Sequence, residues 1–444
     1  MQTYDWRWVQ AQARKTSGVW NSCRGVRPAH GTRFSSDSQN KREAAYDAAL
    51  EAVEDELKIT RTTTAERSAM RERVIAAFGR FSASALDLEP DAIDLLTKEF
   101  LPVGTGLAQW ARRFDPELAM PDIIQACRNA WTACGLQPLL GERVEITPAI
   151  LGYSLLYPYS DNYLDEQNVS AQAKLHFSQR FRERLRGESI HPLNQRECAL
   201  WRLIELIEEQ FERRSFPQVY NCLLSIHRAQ EQSVRQLRTQ GPYSEIDTIR
   251  MSCEKGGSSV LADACLANGW LSETEATFAF EWGVLLQLGD DLQDVHDDLR
   301  RGSMTLFSHA AAVGEPLDGL TVQLLRFAEH VGEQMDGLRA GSGMLKRLLK
   351  MSWHSLIIRA VADSEQYFSK AFVKEAERFS PFRFDFLRRR QQRVAAQHGL
   401  YGMMFEAFIE DDVECLGSLP APHHRENWAA QADVDPAAVA AVLE

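Results

Sequence analysis

The stretch LQLGDDLQDVHDDLRRGS, residues 286–303, decides how the chain is read, because it sets five aspartates within nine positions of what otherwise patterns as a buried helix. Counted at about 100° per residue from Asp290, the aspartates at 290, 291, 294, 297 and 298 fall within roughly one third of a helix circumference. Val284, Leu288, Leu292, Val295 and Leu299 gather on the other side. An amphipathic helix with one acidic stripe is therefore expected. Two readings of the stripe are open: a solvated face, or a site for a cation. An ordinary exposed face mixes signs, because like charges one turn apart repel, and here no Lys or Arg intervenes before Arg300 and Arg301. That imbalance favours the cation. Oxygen donors, with no cysteine nearby and only His296 off the stripe, suit Mg²⁺ or Mn²⁺ rather than zinc. A calcium loop with its central glycine is not matched. Since Mg²⁺ usually bridges one or two carboxylates to phosphate groups, a phosphorylated ligand is expected as well.

Outward from this stretch the chain reads as helix almost throughout. Thr63 with Glu66 forms a capping-box pattern, and Thr147 followed by Pro148 marks another helix start. Helices are expected over 91–113, 121–134, 148–165, 171–186, 194–213, 217–239, 245–268, 272–300, 317–339, 343–377 and 384–409. Strand signals are almost absent, and no repeat of fixed period emerges. The expected fold class is all-α: an antiparallel helical domain over 85–417, an N-terminal extension over 1–84 and a polar tail over 418–444. The first 42 residues carry eight Lys or Arg against two Asp, without the apolar core of a secretory signal. They read as a flexible tail or an over-long start, with a transit peptide as the alternative.

The 444 residues, 44% of them hydrophobic, supply a sizeable core, and a net charge of -12 argues against nucleic acid as a partner. Eight cysteines without a CxxC pair or zinc-finger spacing fit a reducing cytoplasm. The longest apolar runs, such as 278–289, are too short for a membrane span of about 20 residues.

A second acidic pair closes another helical stretch, TPAILGYSLLYPYSDNYLDEQN (147–168), in which Asp161 and Asp165 stand one turn apart and share a face. Tyr153, Tyr157, Tyr159 and Tyr163 surround the pair, either as core or as the lining of a site. Together, DNYLDE and QLGDDLQDVHDD resemble the two aspartate motifs of the class I isoprenoid synthases. The first is similar to the DDxxDE and DxxxD motifs of terpene, squalene and phytoene synthases. The second is similar to the QxxDDxxD of trans-prenyl diphosphate synthases, with Gln287 at the glutamine position. The resemblance covers roughly residues 90–410. Asn162 stands where many members carry the second aspartate, and Asp294 and Asp298 stand where classical cyclases carry Ser or Thr and then Glu.

This resemblance implies a helical bundle with a central apolar pocket. Asp161 and Asp165 would face Asp290, Asp294 and Asp298 across Mg²⁺ ions that hold a prenyl diphosphate. Arg300, Arg301, Lys255 and Arg228 would bind the diphosphate, although Arg300 and Arg301 would equally complement a helix C-terminus. Tyr153, Tyr157, Phe278, Phe280 and Trp282 would line the pocket or serve as ordinary core. The implied reaction is ionisation of the substrate to an allylic carbocation, closed to a terpene. Coupling of two isoprenoid diphosphates by a prenyltransferase is the alternative, followed by a non-catalytic isoprenoid-binding protein. Membership also implies a possible homodimer. The paired glycines of EKGGSSV (254–260) read either as a kink where backbone approaches substrate or as a plain helix junction.

Overall fold

The computed structural model describes residues 3–25, 31–166, 168–236, 244–396, 408 and 419–420, with the backbone alone of Tyr157, Asp165, 233–236 and 391–396. The first helices are α1 (Trp6–Ser22), α2 (Ser36–Lys58), α3 (Thr64–Ala85), α4 (Pro90–Asp94), α5 (Leu101–Phe114) and α6 (Met120–Leu139). Next come α7 (Pro148–Asp165), α8 (Ala171–Arg186), α9 (Gln195–Gln210), α10 (Pro217–Gln236), α11 (Glu245–Asn268) and α12 (Glu273–Gln293). The last are α13 (Val295–Arg301), α14 (Leu306–Ala312), α15 (Asp318–Asp336), α16 (Gly343–Asp363), α17 (Lys370–Glu377) and α18 (Phe384–Ala396). A π-helical segment, Leu95–Phe100, joins α4 to α5. No β-strand occurs among the described residues, so the chain is all-α. No helix among them is long and apolar enough to cross a membrane.

Local chemistry accounts for the helix starts. Thr147 Oγ1 accepts the Ile150 N–H at 3.3 Å, with Pro148 in the first turn. Thr63 and Glu66 close the capping box, through Glu66 N–H to Thr63 Oγ1 at 3.2 Å and Thr63 N–H to Glu66 Oε2 at 3.1 Å. Two expected long helices divide. The 272–300 helix turns at Asp294 (φ -90, ψ 9), and the 343–377 helix ends at Asp363 before α17 begins.

Among the described part of the first 42 residues, Trp6–Ser22 is a docked helix where a flexible tail is expected. Asp5 caps α1 by accepting from the N–H groups of Arg7 and Trp8, and Val9, Gln12, Ala13, Thr16 and Trp20 form one buried face. This face packs on α10, α11, α12 and α15. It escapes a hydrophobicity reading because two of its buried positions are polar: Gln12 Nε2 donates to Thr16 Oγ1 at 3.4 Å, and Thr16 Oγ1 donates to Glu281 Oε1 of α12 at 3.1 Å. Helices α2 and α3 enclose a small apolar cluster of their own, built on Leu50, Val53, Met70, Val74 and Ala77. The principal core runs from Tyr4 to Leu387. Of the expected polar tail only 419–420 is described, and there the Pro420 carbonyl accepts the Trp110 Nε1–H at 2.9 Å.

At the centre lie α11 and α12, with α1, α6 and α10 against α11 and with α15 and α16 against α12. The glycines explain how close the central pair comes. No kink forms at Gly256 and Gly257; α11 runs through them as regular helix. A Cβ on Gly256 would stand 2.5 Å from the Gly283 carbonyl oxygen of α12, and one on Gly257 would run into the Phe280 ring. The doublet therefore serves a backbone-to-backbone crossing.

Candidate functional site

The crossing fixes what faces the aspartates. One turn below Gly256, Ser252 Oγ donates to Asp291 Oδ2 at 3.1 Å, while Gln287 Nε2 donates to Asp291 Oδ1 at 2.8 Å. Asp291 is thus buried, only 6% exposed, and leaves the acidic stripe on which the sequence placed it. The remaining aspartates keep accessible surface: Asp290 and Asp294 are exposed, and Asp297 and Asp298 are half-buried. Gln287, at the glutamine position of the second motif, orients Asp291.

Every carboxyl of this group that shifts does so upward. Burial pushes Asp291 to about 7, against the hydrogen bond from Gln287 and the charge of Lys255. Crowding by protein atoms raises Asp290 to about 6 even though it is exposed, opposed by Arg128 and Lys255 and reinforced by Asp294. Asp298 also reaches about 6, through burial and then the like charge of Asp294. Burial is the largest cause of all three shifts, and the nearby cations offset it only in part. Lys255 acts on all three, which makes it the common cation of the cluster. Arg128 of α6 is a second cation, acting on Asp290, and carries no motif that singles it out. Arg300 instead pairs with Asp297 at 3.1 Å on the surface, and Arg301 attracts Asp298. Arg228 sits 5.0 Å over the Trp6 ring of α1 and neighbours Glu254.

On α7, Asp161 Oδ2 accepts from Gln230 Nε2 of α10 at 2.8 Å. Asn162 donates to Asp122 Oδ1 at 2.8 Å, so the residue in place of a second aspartate is used to tie α7 to α6. The side chains of Asp165 and Tyr157 lie outside the described residues. Tyr159 Oη donates to Asp115 Oδ2 at 2.9 Å, and Tyr163 carries the Arg196 guanidinium 3.8 Å above its ring. Phe278, Phe280 and Trp282 are buried packing residues: Trp282 meets Trp353 at 5.5 Å, and Phe280 meets Trp8 at 5.7 Å. Tyr153 differs, because it keeps accessible surface inside the bundle and pairs its hydroxyl with Ser259 of α11.

Between Met251 and Ala267, Met251, Lys255 and Ser259 are half-buried and every other residue is buried. Spaced by four, they form one stripe along α11, from the aspartates down to Tyr153. On α7 the accessible positions Tyr153 and Asp161 are likewise two turns apart. Oxygen-only donors beside Lys255 match the chemistry of a hard cation with a phosphate ligand. Among the described residues, however, no three His, Cys, Asp or Glu side chains are close enough together to hold a metal ion by themselves.

Below the stripe lies an acid that the sequence marked only as the single charge within VLADACL (260–266). Asp263 is 1% exposed. Its Oδ1 accepts from Asn129 Nδ2 at 3.3 Å, while Oδ2 has no hydrogen-bond partner among the described residues. Burial raises its pKa well above the carboxylate range. The folded chain therefore holds a proton that the unfolded chain releases, so Asp263 weakens the fold progressively as pH rises above about 4. Asp263→Asn should stabilise the protein by about 1–3 kcal/mol at neutral pH. The gain should vanish below about pH 4, as urea denaturation at several pH values would read. A variant less stable than wild type at pH 7 would refute the assignment.

No family model matches the chain, and no curated protein matches it in sequence.

Proposed function

We propose that the protein is a Mg²⁺-dependent class I isoprenoid synthase that ionises a prenyl diphosphate and converts it to a cyclic terpene. The observation that carries this reading is the set of carboxyls Asp290, Asp291 and Asp298 under the common influence of Lys255 at the top of the half-buried α11 stripe. In this reading Asp290, Asp294, Asp298, Asp161 and Asp165 would hold Mg²⁺, with Mn²⁺ as a substitute. The ions, when bound, neutralise the diphosphate and favour its departure. Lys255 and Arg128 supply direct charge to the phosphate oxygens, and Asp291, fixed by Gln287 and Ser252, keeps α12 in register with α11. Met251, Ser259 and Tyr153 line the recess that receives the prenyl chain, where the aromatic face of Tyr153 favours a passing cation. An accessible Asp290 crowded by protein atoms fits the mouth of such a recess.

Incubation of the purified protein with single prenyl diphosphates of increasing length, with and without Mg²⁺, tests the reading through pyrophosphate release and mass spectrometry of the extract. A hydrocarbon or alcohol formed from one diphosphate, only with Mg²⁺, is the expected result. Product that requires a second isoprenoid diphosphate would place the chain among coupling prenyltransferases. No pyrophosphate with either would sink the enzyme reading and leave an isoprenoid-binding protein.

A further inference from the structure

At the end of α10 and α11 away from the aspartates, two thiols meet. Cys222 of α10 and Cys265 of α11 are fully buried, with their Sγ atoms 3.2 Å apart and no bond between them. The approach is closer than packing alone calls for. A disulfide requires about 2 Å between sulfurs, so closure brings the two Sγ atoms roughly 1 Å nearer. Burial holds the Cys222 thiol well above its usual range, which keeps it protonated and unreactive in the closed protein.

What closes it is the segment leading into α1. Tyr4, itself fully buried, presents its backbone carbonyl to Cys222 Sγ at 4.0 Å. Its Oη donates to the Leu271 carbonyl at 2.9 Å, and Trp8 packs edge-on against its ring at 4.9 Å. Tyr4 therefore closes one side of the thiol pair through its backbone, and its side chain is anchored by one hydrogen bond at the hydroxyl and by the Trp8 ring.

We infer that Cys222 and Cys265 form a latent thiol-oxidation site, closed by Tyr4, at which a hydroperoxide converts the pair to a disulfide that staples α10 to α11. One sulfur attacks the peroxide oxygen and becomes a sulfenic acid as water or an alcohol leaves. The second sulfur then displaces the sulfenic oxygen as water. Two thiol protons and two electrons pass to the O–O bond, and one S–S bond forms. The staple fixes the helices that carry Gln230, the partner of Asp161, and Lys255, the partner of the second aspartate cluster. It does not depend on the reaction proposed above.

Treating the full-length protein with hydrogen peroxide, alkylating it under denaturing conditions and mapping its peptides by mass spectrometry tests the site. A cross-linked Cys222–Cys265 peptide is expected, and the oxidised protein should unfold a few degrees higher because a loop is closed. In Cys222→Ser both the peptide and the shift should be lost. Tyr4→Phe keeps the ring but loses the bond to Leu271, and should speed cross-linking roughly fivefold. Absence of the peptide in wild type after the half-buried Cys23 has oxidised would overturn the site. Equal rates in wild type and Tyr4→Phe would overturn the closing role of Tyr4.

Discussion

Replacing Asp290 with alanine should lower Mg²⁺-dependent pyrophosphate release by about 10²–10⁴-fold, with helix content unchanged and thermal stability no lower than wild type. The rate estimate takes the stabilisation of developing charge by a bound metal as several kcal/mol, at about 1.4 kcal/mol per tenfold. The stability half of the expectation follows from the site itself. Asp290 is raised to about 6 by crowding, so its negative charge is a burden on the folded chain that alanine removes. A residue kept for packing would behave in the opposite way, losing stability first and activity as a consequence. Asp294→Ala should give the same pattern, because Asp294 is exposed at the turn between α12 and α13 and adds its charge to both Asp290 and Asp298. Circular dichroism with a pyrophosphate assay checks both halves. Activity retained in both variants would remove the second motif from the reaction, and a collapse of helix content would make the aspartates structural.

Why some of this was legible in the sequence and some was not comes down to what each residue responds to. The helices followed from local signals, since Thr63 with Glu66, and Thr147 with Pro148, act within one turn. The acidic stripe was visible for the same reason, but its uniformity was not. Asp291 shares the helix face of its neighbours by angle, yet it is buried because Ser252 on another helix supplies a donor, and a single helix projection has no access to that. Arg128 had no sequence signal, because its relevance comes from α6 lying against α11. Helix α1 was missed through the opposite error. Its buried face uses Gln12 and Thr16, whose polarity is satisfied by Glu281 far along the chain. The paired glycines at 256 and 257 suggest a kink or a helix junction when only one helix is considered, whereas they are the condition for a second helix to approach.

That approach sets the largest stability effect expected in the molecule, and it also positions the site. A Cβ on Gly283 would collide with the Gly256 carbonyl oxygen and stand 2.8 Å from its carbonyl carbon and 3.0 Å from Val260 Cβ. Two of these atoms belong to backbone in the middle of a regular helix and have no rotamer to escape into. Gly283→Ala should therefore destabilise the protein by about 3 kcal/mol or more through overpacking. This outweighs the gain of about 1 kcal/mol that alanine brings to a helix interior. Gly18→Ala in α1, where a Cβ meets nothing within 4 Å, isolates that opposing contribution and should stabilise by up to about 1 kcal/mol. Urea denaturation of the two variants beside wild type separates the effects by sign. If α12 yields instead, by sliding away from α11, then Ser252 loses Asp291 and Lys255 moves off the carboxyl cluster. The remaining folded protein should then lose Mg²⁺-dependent turnover in proportion, although no aspartate has been touched. A Gly283→Ala protein as stable as wild type would mean that the crossing is loose, and with it the placement of Lys255 over the aspartates.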